Sequence, residues 1–161
     1  MTLDYLHRLV LPVVYDLLPP EMNSPEATAM LLAICLQETQ ATFRKQMGDG
    51  PAMGFWQFER GGGVTEVLSH PTTAPIITPL CEYTLQYSPT PKACHEALEH
   101  NDVLAGLFAR LLLWLVPARL PHRDEVDLAY GQYIAGWRPG RPHPQTWPEH
   151  YRKAWLLVAG E

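Results

Sequence analysis

In a chain of 161 residues with 16 Pro and 11 Gly, residues 26–46 contain neither. Pro interrupts a helix through its missing N–H and its ring, and Gly through its backbone freedom. Their absence over so long a run, directly after a start signal, commits the chain to a helix around which the rest must pack. The start signal is Ser24-Pro25-Glu26. Ser24 offers an oxygen to an orphan N–H, and Pro25 has no N–H to lose at the first helical position. The Glu26 carboxylate suits the positive end of the dipole. The pattern predicts a helix to about Gln46. Ala27, Leu31 and Ile34 fall at i, i+4 and i+7, an apolar stripe, and the next position on it is Glu38. A carboxylate at the edge of an apolar face loses hydration. That disfavours its charged form and raises its pKa, as a general acid near neutrality requires.

Gly48, Gly50 and Pro51 then break the helix, and Ala52-Met53-Gly54-Phe55-Trp56-Gln57 follows. Gly54 permits positive φ or close backbone approach. Trp56 offers a flat face to a sugar or to an apolar partner, and Gln57 can donate and accept. Read alone, Glu38 fits a solvated helix end and Trp56 fits the core equally well.

Taken together, these residues resemble a known family. Glu38-Thr39 followed by Gly50-Pro51-Ala52-Met53-Gly54-Phe55-Trp56-Gln57 is similar to the Glu-Ser … Gly-Ala-x-Gly-Leu-Met-Gln pattern of the lytic transglycosylase catalytic domains. Those domains share the lysozyme-like fold with goose-type lysozyme. Asp102-Val103-Leu104-Ala105-Gly106 resembles the family's Asn-Ile-x-Ala-Gly, and Tyr133-Ile134-Ala135-Gly136 its Tyr-Asn-Ala-Gly. Trp147 and Tyr151 stand where an aromatic pair closes the family's domain. The motifs occur in family order over residues 24–151. Thr39, Asp102 and Ile134 depart from the family's Ser, Asn and Asn.

The resemblance implies one lysozyme-like domain over residues 1–161, mainly α with little or no β structure, and a substrate groove. It implies cleavage of the MurNAc-GlcNAc β-1,4 bond of peptidoglycan glycan strands, without cofactor. Glu38 would be the single general acid/base and Tyr133 its catalytic partner. Met53, Gly54, Trp56, Gln57, Glu59, Ala135 and Arg138 would lie along the substrate. Three other readings stand beside this one. A lysozyme-type hydrolase would use Glu38 with Glu59 as a second carboxylate. A catalytically silent virion or wall-binding protein would keep the fold alone. A generic helical adaptor with chance motif matches is the third.

The rest of the chain constrains these readings. A hydrophobic fraction of 47% describes a globular domain, and a net charge of −5 with no basic stripe argues against a nucleic-acid-binding module. An acidic protein gains no electrostatic help on an anionic wall. Residues 1–20 place Leu3, Leu6, Val10, Val13 or Val14, and Leu17 at helical spacing, bent at Pro12. Asp4, His7, Arg8 and Asp16 interrupt the apolar run, so it reads as a packing helix and not as a signal peptide. The expected course is synthesis in a cytoplasm and action on the bacterial cell wall, with delivery by a phage particle or through a holin-type lesion. Membrane insertion is not expected, since the run Leu111–Val116 is too short to span a bilayer. A monomer is expected.

Cys35, Cys81 and Cys94 form no disulfide framework and read as reduced thiols. The histidines lack the i, i+4 spacing of a zinc-binding face, so no metal site is expected. Between Arg60 and Pro79 three glycines and three prolines predict loops and short helices. Further helices are expected from Pro91 to about His100, from an Asn101 or Asp102 cap to Val116, from Arg123 to a Gly136 C-cap, and from a Thr146-Trp147-Pro148-Glu149 capping box to about Val158. Trp147, Tyr151 and Trp155 lie at i, i+4 and i+8 and read as core. The segment between Trp137 and Pro144 predicts a surface loop, with Arg138 and Arg141 able to meet acetyl, lactyl or carboxylate groups.

Overall fold

The N-terminal residues form helix α1 (Thr2–Tyr5), a widened turn Leu6–Val10 and helix α2 (Leu11–Leu17). The widening lies just before Pro12, which has no N–H for the carbonyl one turn back; the π-type turn absorbs that break. Leu3, Leu6, Val10, Leu11 and Val14 face inward. This computed structural model describes residues 2–161.

Helix α3 (Pro25–Thr39) starts as its sequence requires, with the Ser24 hydroxyl accepting from Ala27 N–H at 3.1 Å. It ends seven residues earlier than expected. The Thr39 hydroxyl lies 3.1 Å from Cys35 O and 2.9 Å from Phe55 O, and Gln40 and Ala41 adopt left-handed backbone (φ 51° and 54°). Residues 42–46 then run back beside 52–54: Gln46 N–H donates to Ala52 O at 2.9 Å and Gly54 N–H to Arg44 O at 2.6 Å. This return cannot be made by a continuing helix. The apolar surface of α3 is also wider than a stripe. From Ala27 through Leu36 every residue is buried, so the helix is surrounded rather than one-sided.

The short helices α4 (Thr65–Ser69), α5 (Ala74–Pro79) and α6 (Pro91–Ala97) follow, the last capped by Thr90. Helix α7 (Asp102–Trp114) is capped by Asn101, whose side-chain oxygen accepts from Leu104 N–H at 2.9 Å. Leu104 through Leu113 are buried, including Arg110, whose Nε donates to Met22 O at 2.8 Å. Helix α8 (Val126–Trp137) begins three residues later than expected and passes through Gly136; Arg138, at φ 46°, takes the left-handed C-cap expected of that glycine. Helix α9 (Trp147–Ala159) has no side-chain cap. The Thr146 hydroxyl turns instead to His143 O (2.9 Å) and Gln37 Oε1 (3.1 Å).

α3 packs chiefly on α9, and α7 lies against α2, α3, α4 and α8. Trp147, Tyr151 and Trp155 are buried, with Trp147 and Tyr151 stacked at 5.8 Å. The molecule is a single, mainly α-helical domain. Among the described residues there is no sheet, only two antiparallel bridges, Lys45–Met53 and Met53–Phe58, and no helix is long and apolar enough to cross a membrane. Cys35, Cys81 and Cys94 are buried and free of disulfide bonds.

Candidate active site

Glu38 sits in the last turn of α3, where the all-round burial of that helix gives way to an opening. Its neighbours Gln37 and Thr39 are pinned on either side. Thr39 ties the helix to the 53–58 turn through Phe55 O. The Gln37 side-chain NH2 donates to His143 O at 2.9 Å, and its oxygen accepts from His150 Nδ1 at 2.8 Å. Because the Gln37 oxygen is the acceptor, His150 carries its proton on Nδ1. The last turn of α3 is therefore fixed to α9 and to the loop after α8, and Glu38 projects between them.

Tyr133, in the middle of α8, donates its hydroxyl to Glu38 Oε1 at 2.6 Å. The ring is 2% exposed and stacked on Trp147 at 5.2 Å with planes 7° apart, so the hydroxyl has little freedom. Burial pushes the Glu38 pKa up to about 7, against the smaller lowering effect of the Tyr133 hydrogen bond. Burial and the adjacent carboxylate raise the Tyr133 pKa, which keeps it a donor. With Oε1 accepting from the phenol, Oε2 is the oxygen left to carry the proton of neutral Glu38, and no described group hydrogen-bonds to it. The pair presents a carboxylic acid poised near neutrality with one oxygen anchored and one free.

Two adjoining pockets open at Glu38, with volumes of about 470 and 320 Å³, a size typical of ligand sites. Glu38, Gln46, Gln57, Pro139 and Arg141 line both. The larger continues past Glu59, Gly61 to Gly63, Trp137 and Arg138, the smaller past Phe43, Met47, Tyr133 and His143. Gln57 is held at φ 52°, and both its backbone N–H and its side-chain NH2 donate to Gly54 O at 3.0 Å. A non-glycine residue in left-handed backbone is a strained position that the surrounding turn must impose.

The structure distributes the expected site residues unevenly. Glu38, Tyr133, Gln57, Glu59 and Arg138 all line the pockets. Glu59 is exposed, with no side-chain partner among the described residues. The Arg138 guanidinium is bound to Glu66 at 2.7 Å, whereas Arg141 has no ion-pair partner among them. Trp56 is completely buried, donates its indole N–H to Leu31 O at 2.8 Å, and has no face for a sugar. Gly54 is buried at φ 79°, left-handed backbone that favours glycine, and a Cβ there would lie 3.3 Å from Leu98 O. Met53 bridges Lys45 and Phe58. Ala135 is exposed, and neither it nor Met53 is among the residues lining either pocket. Gln46, Phe43, Met47 and Trp137 are lining residues that the sequence did not single out. Helical spacing places Gln46 at a helix end, and only the return of the chain at residue 40 brings it to Glu38.

Comparison with protein-family models, with curated proteins and with solved structures finds no match to this chain.

Proposed function

We propose that this protein is a peptidoglycan-cleaving glycosidase of the lytic transglycosylase type, with Glu38 as its single general acid/base. The observation that carries the proposal is the 2.6 Å contact from the Tyr133 hydroxyl to Glu38 Oε1 in a buried setting that raises the Glu38 pKa to about 7. A carboxyl group that holds its proton near neutrality, beside an open cleft, is what protonation of a glycosidic oxygen demands. The order of the four sequence motifs adds independent support for this chemistry.

The step begins with Glu38 Oε2 donating its proton to the bridging oxygen as the C1–O4 bond breaks, which leaves positive charge on the sugar ring. The Glu38 carboxylate then takes the proton of that sugar's C6 hydroxyl, and O6 bonds to C1. A 1,6-anhydro ring results, no water is consumed, and Glu38 ends protonated as it began. Tyr133 stabilises the carboxylate between the two transfers by its hydrogen bond to Oε1. Arg141, without an ionic partner at the junction of the pockets, supplies a cation for the carboxylate-bearing substituents of the strand.

The hydrolytic alternative rests on one observation: Glu59 lines the larger pocket with Glu38. Incubation of purified peptidoglycan with the protein and with Glu38→Gln tests the proposal. Release of soluble fragments by the first alone is expected. Release of none by the first, or equal release by both, removes Glu38-dependent cleavage.

A further inference from the structure

Two of the three thiols face each other. Cys81 lies in the widened turn Leu80–Thr84 that follows α5, and Cys94 lies in the middle of α6. Their sulfurs are 3.8 Å apart, and both residues are completely buried. The chain between them is a surface excursion. Glu82, Tyr83, Thr84, Gln86, Ser88 and Thr90 are exposed, and Gln86 takes left-handed backbone at φ 58°. The return of that excursion is pinned beside the sulfurs: Tyr87 N–H donates to Cys81 O at 2.8 Å, and the Cys94 thiol donates to Ser88 O at 3.6 Å. Closing the sulfurs to the roughly 2.05 Å of a disulfide lies within the reach of rotating two short side chains.

Two buried thiols in contact have three uses: packing, a metal clip or a disulfide. No cluster of three or more His, Cys, Asp and Glu side chains among the described residues could hold a metal ion, and the neighbouring His95 ring is bound to Pro51 O at 2.7 Å. Packing alone is what Cys35 shows. Its sulfur meets the Thr39 hydroxyl at 3.8 Å, and burial pushes its thiol up to about 12. The facing pair behaves differently. The hydrogen bond between the two sulfurs lowers the Cys94 pKa from its ordinary value and raises that of Cys81. A thiol made more acidic by a second thiol beside it is the arrangement of a dithiol that exchanges with disulfides.

We propose that Cys81 and Cys94 are an oxidation site that closes to an intramolecular disulfide when the protein meets a disulfide-bearing oxidant. Local opening of the exposed 82–90 segment admits the oxidant. The Cys94 thiolate attacks one oxidant sulfur, a mixed disulfide forms, and the first thiol leaves. The Cys81 thiolate then attacks Cys94 Sγ and the second thiol leaves. The two cysteines give up two electrons and two protons, and the broken oxidant S–S bond takes up both as two thiols. The new bond ties the Leu80–Thr84 turn to α6, which packs on the turn Arg60–Val64, whose glycines line the larger pocket. Neither sulfur lines a pocket at Glu38, so the inference stands apart from the glycosidase reading.

The test uses the whole folded protein, reduced and then incubated with oxidised glutathione without denaturant. Remaining thiols are alkylated in urea, and the protein is digested with trypsin without reductant. Cleavage after Lys92 separates the two cysteines, so peptides 61–92 and 93–110 stay joined only through a disulfide. That linked pair is expected, with alkylation confined to Cys35. Oxidised protein should melt about 5–10 °C above reduced protein, the scale of closing a loop of this length. Cys81→Ser and Cys94→Ser should each show no linked pair and the same Tm in both redox states. The comparison of oxidised with reduced wild type needs neither variant to fold. Alkylation of all three cysteines after incubation, a glutathione adduct without the linked pair, a link to Cys35, or an oxidised form that melts no higher than the reduced one would overturn the proposal.

Discussion

The Tyr133 phenolic oxygen lies 2.6 Å from Glu38 Oε1, joining residues 95 apart in the chain through the last turn of α3 and the middle of α8. The hydrogen bond works against burial: burial raises the Glu38 pKa and the phenol lowers it. Removing the hydroxyl alone leaves burial unopposed. Tyr133→Phe should therefore reduce turnover by about one to two orders of magnitude, the scale of one positioned hydrogen bond to a charged group. The alkaline limb of its pH–rate profile should move to higher pH. A wild-type rate, or a limb shifted downward, would separate Tyr133 from the acid.

Glu38 also costs the fold stability. Its folded pKa of about 7 exceeds its ordinary value of 4.5, so between those pH values the native state binds more protons than the unfolded one. Stability is then lost as pH rises through that window, and the loss is complete above pH 7. Glu38→Gln removes a carboxylate that must ionise in a buried place. The variant should gain on the order of 2 kcal/mol over wild type at pH 8, discounted for the partial exposure of the side chain, and almost nothing at pH 4. Urea unfolding of both proteins at the two pH values measures this. A variant less stable than wild type at pH 8 would contradict the buried, raised carboxyl.

Trp56 is a structural residue despite its place beside Gln57. With its ring fully buried and its N–H on Leu31 O, Trp56→Ala should cost about 3–5 kcal/mol through the cavity it leaves. Trp56→Phe keeps most of the volume and should lower Tm while leaving KM close to wild type. A raised KM with unchanged Tm in Trp56→Phe would restore the sugar-facing reading.

The start of α3 was legible because its determinants are local: a cap, a first-turn proline and a carboxylate within three residues. The cap of α7 was legible for the same reason, as Asn101 or Asp102, and Asn101 takes that role. The placement of Glu38 at an apolar edge followed from helical spacing alone, although the helix proved buried on every side. The end of α3 was not legible, since it depends on a hydroxyl of Thr39 reaching Phe55 O across a loop and on left-handed backbone at Gln40 and Ala41. Nothing in the string QAT announces either. The same non-local return brought Gln46 into the site and sent the Trp56 ring into the core. Gly136 looked like a helix end because glycine favours left-handed backbone; Arg138 took that conformation instead, with its guanidinium held by Glu66.

Glu59→Gln distinguishes one acid from two. Glu59 is exposed and has no side-chain partner among the described residues, although it lines the larger pocket. A substrate hydroxyl as nucleophile needs no second carboxylate, so the variant should keep activity within about threefold of wild type, the scale of surface substitutions. Loss of turnover by orders of magnitude would make Glu59 the base of a hydrolase.

The mass of the products tests the central claim most directly. Purified peptidoglycan is incubated with wild-type protein and with Glu38→Gln, and the soluble muropeptides are weighed by mass spectrometry. The account predicts 1,6-anhydro-muramyl ends, each lighter by one water than the hydrolysed form, from wild type and none from the variant. Reducing-end muropeptides as the sole product, or no product from wild type, would contradict it.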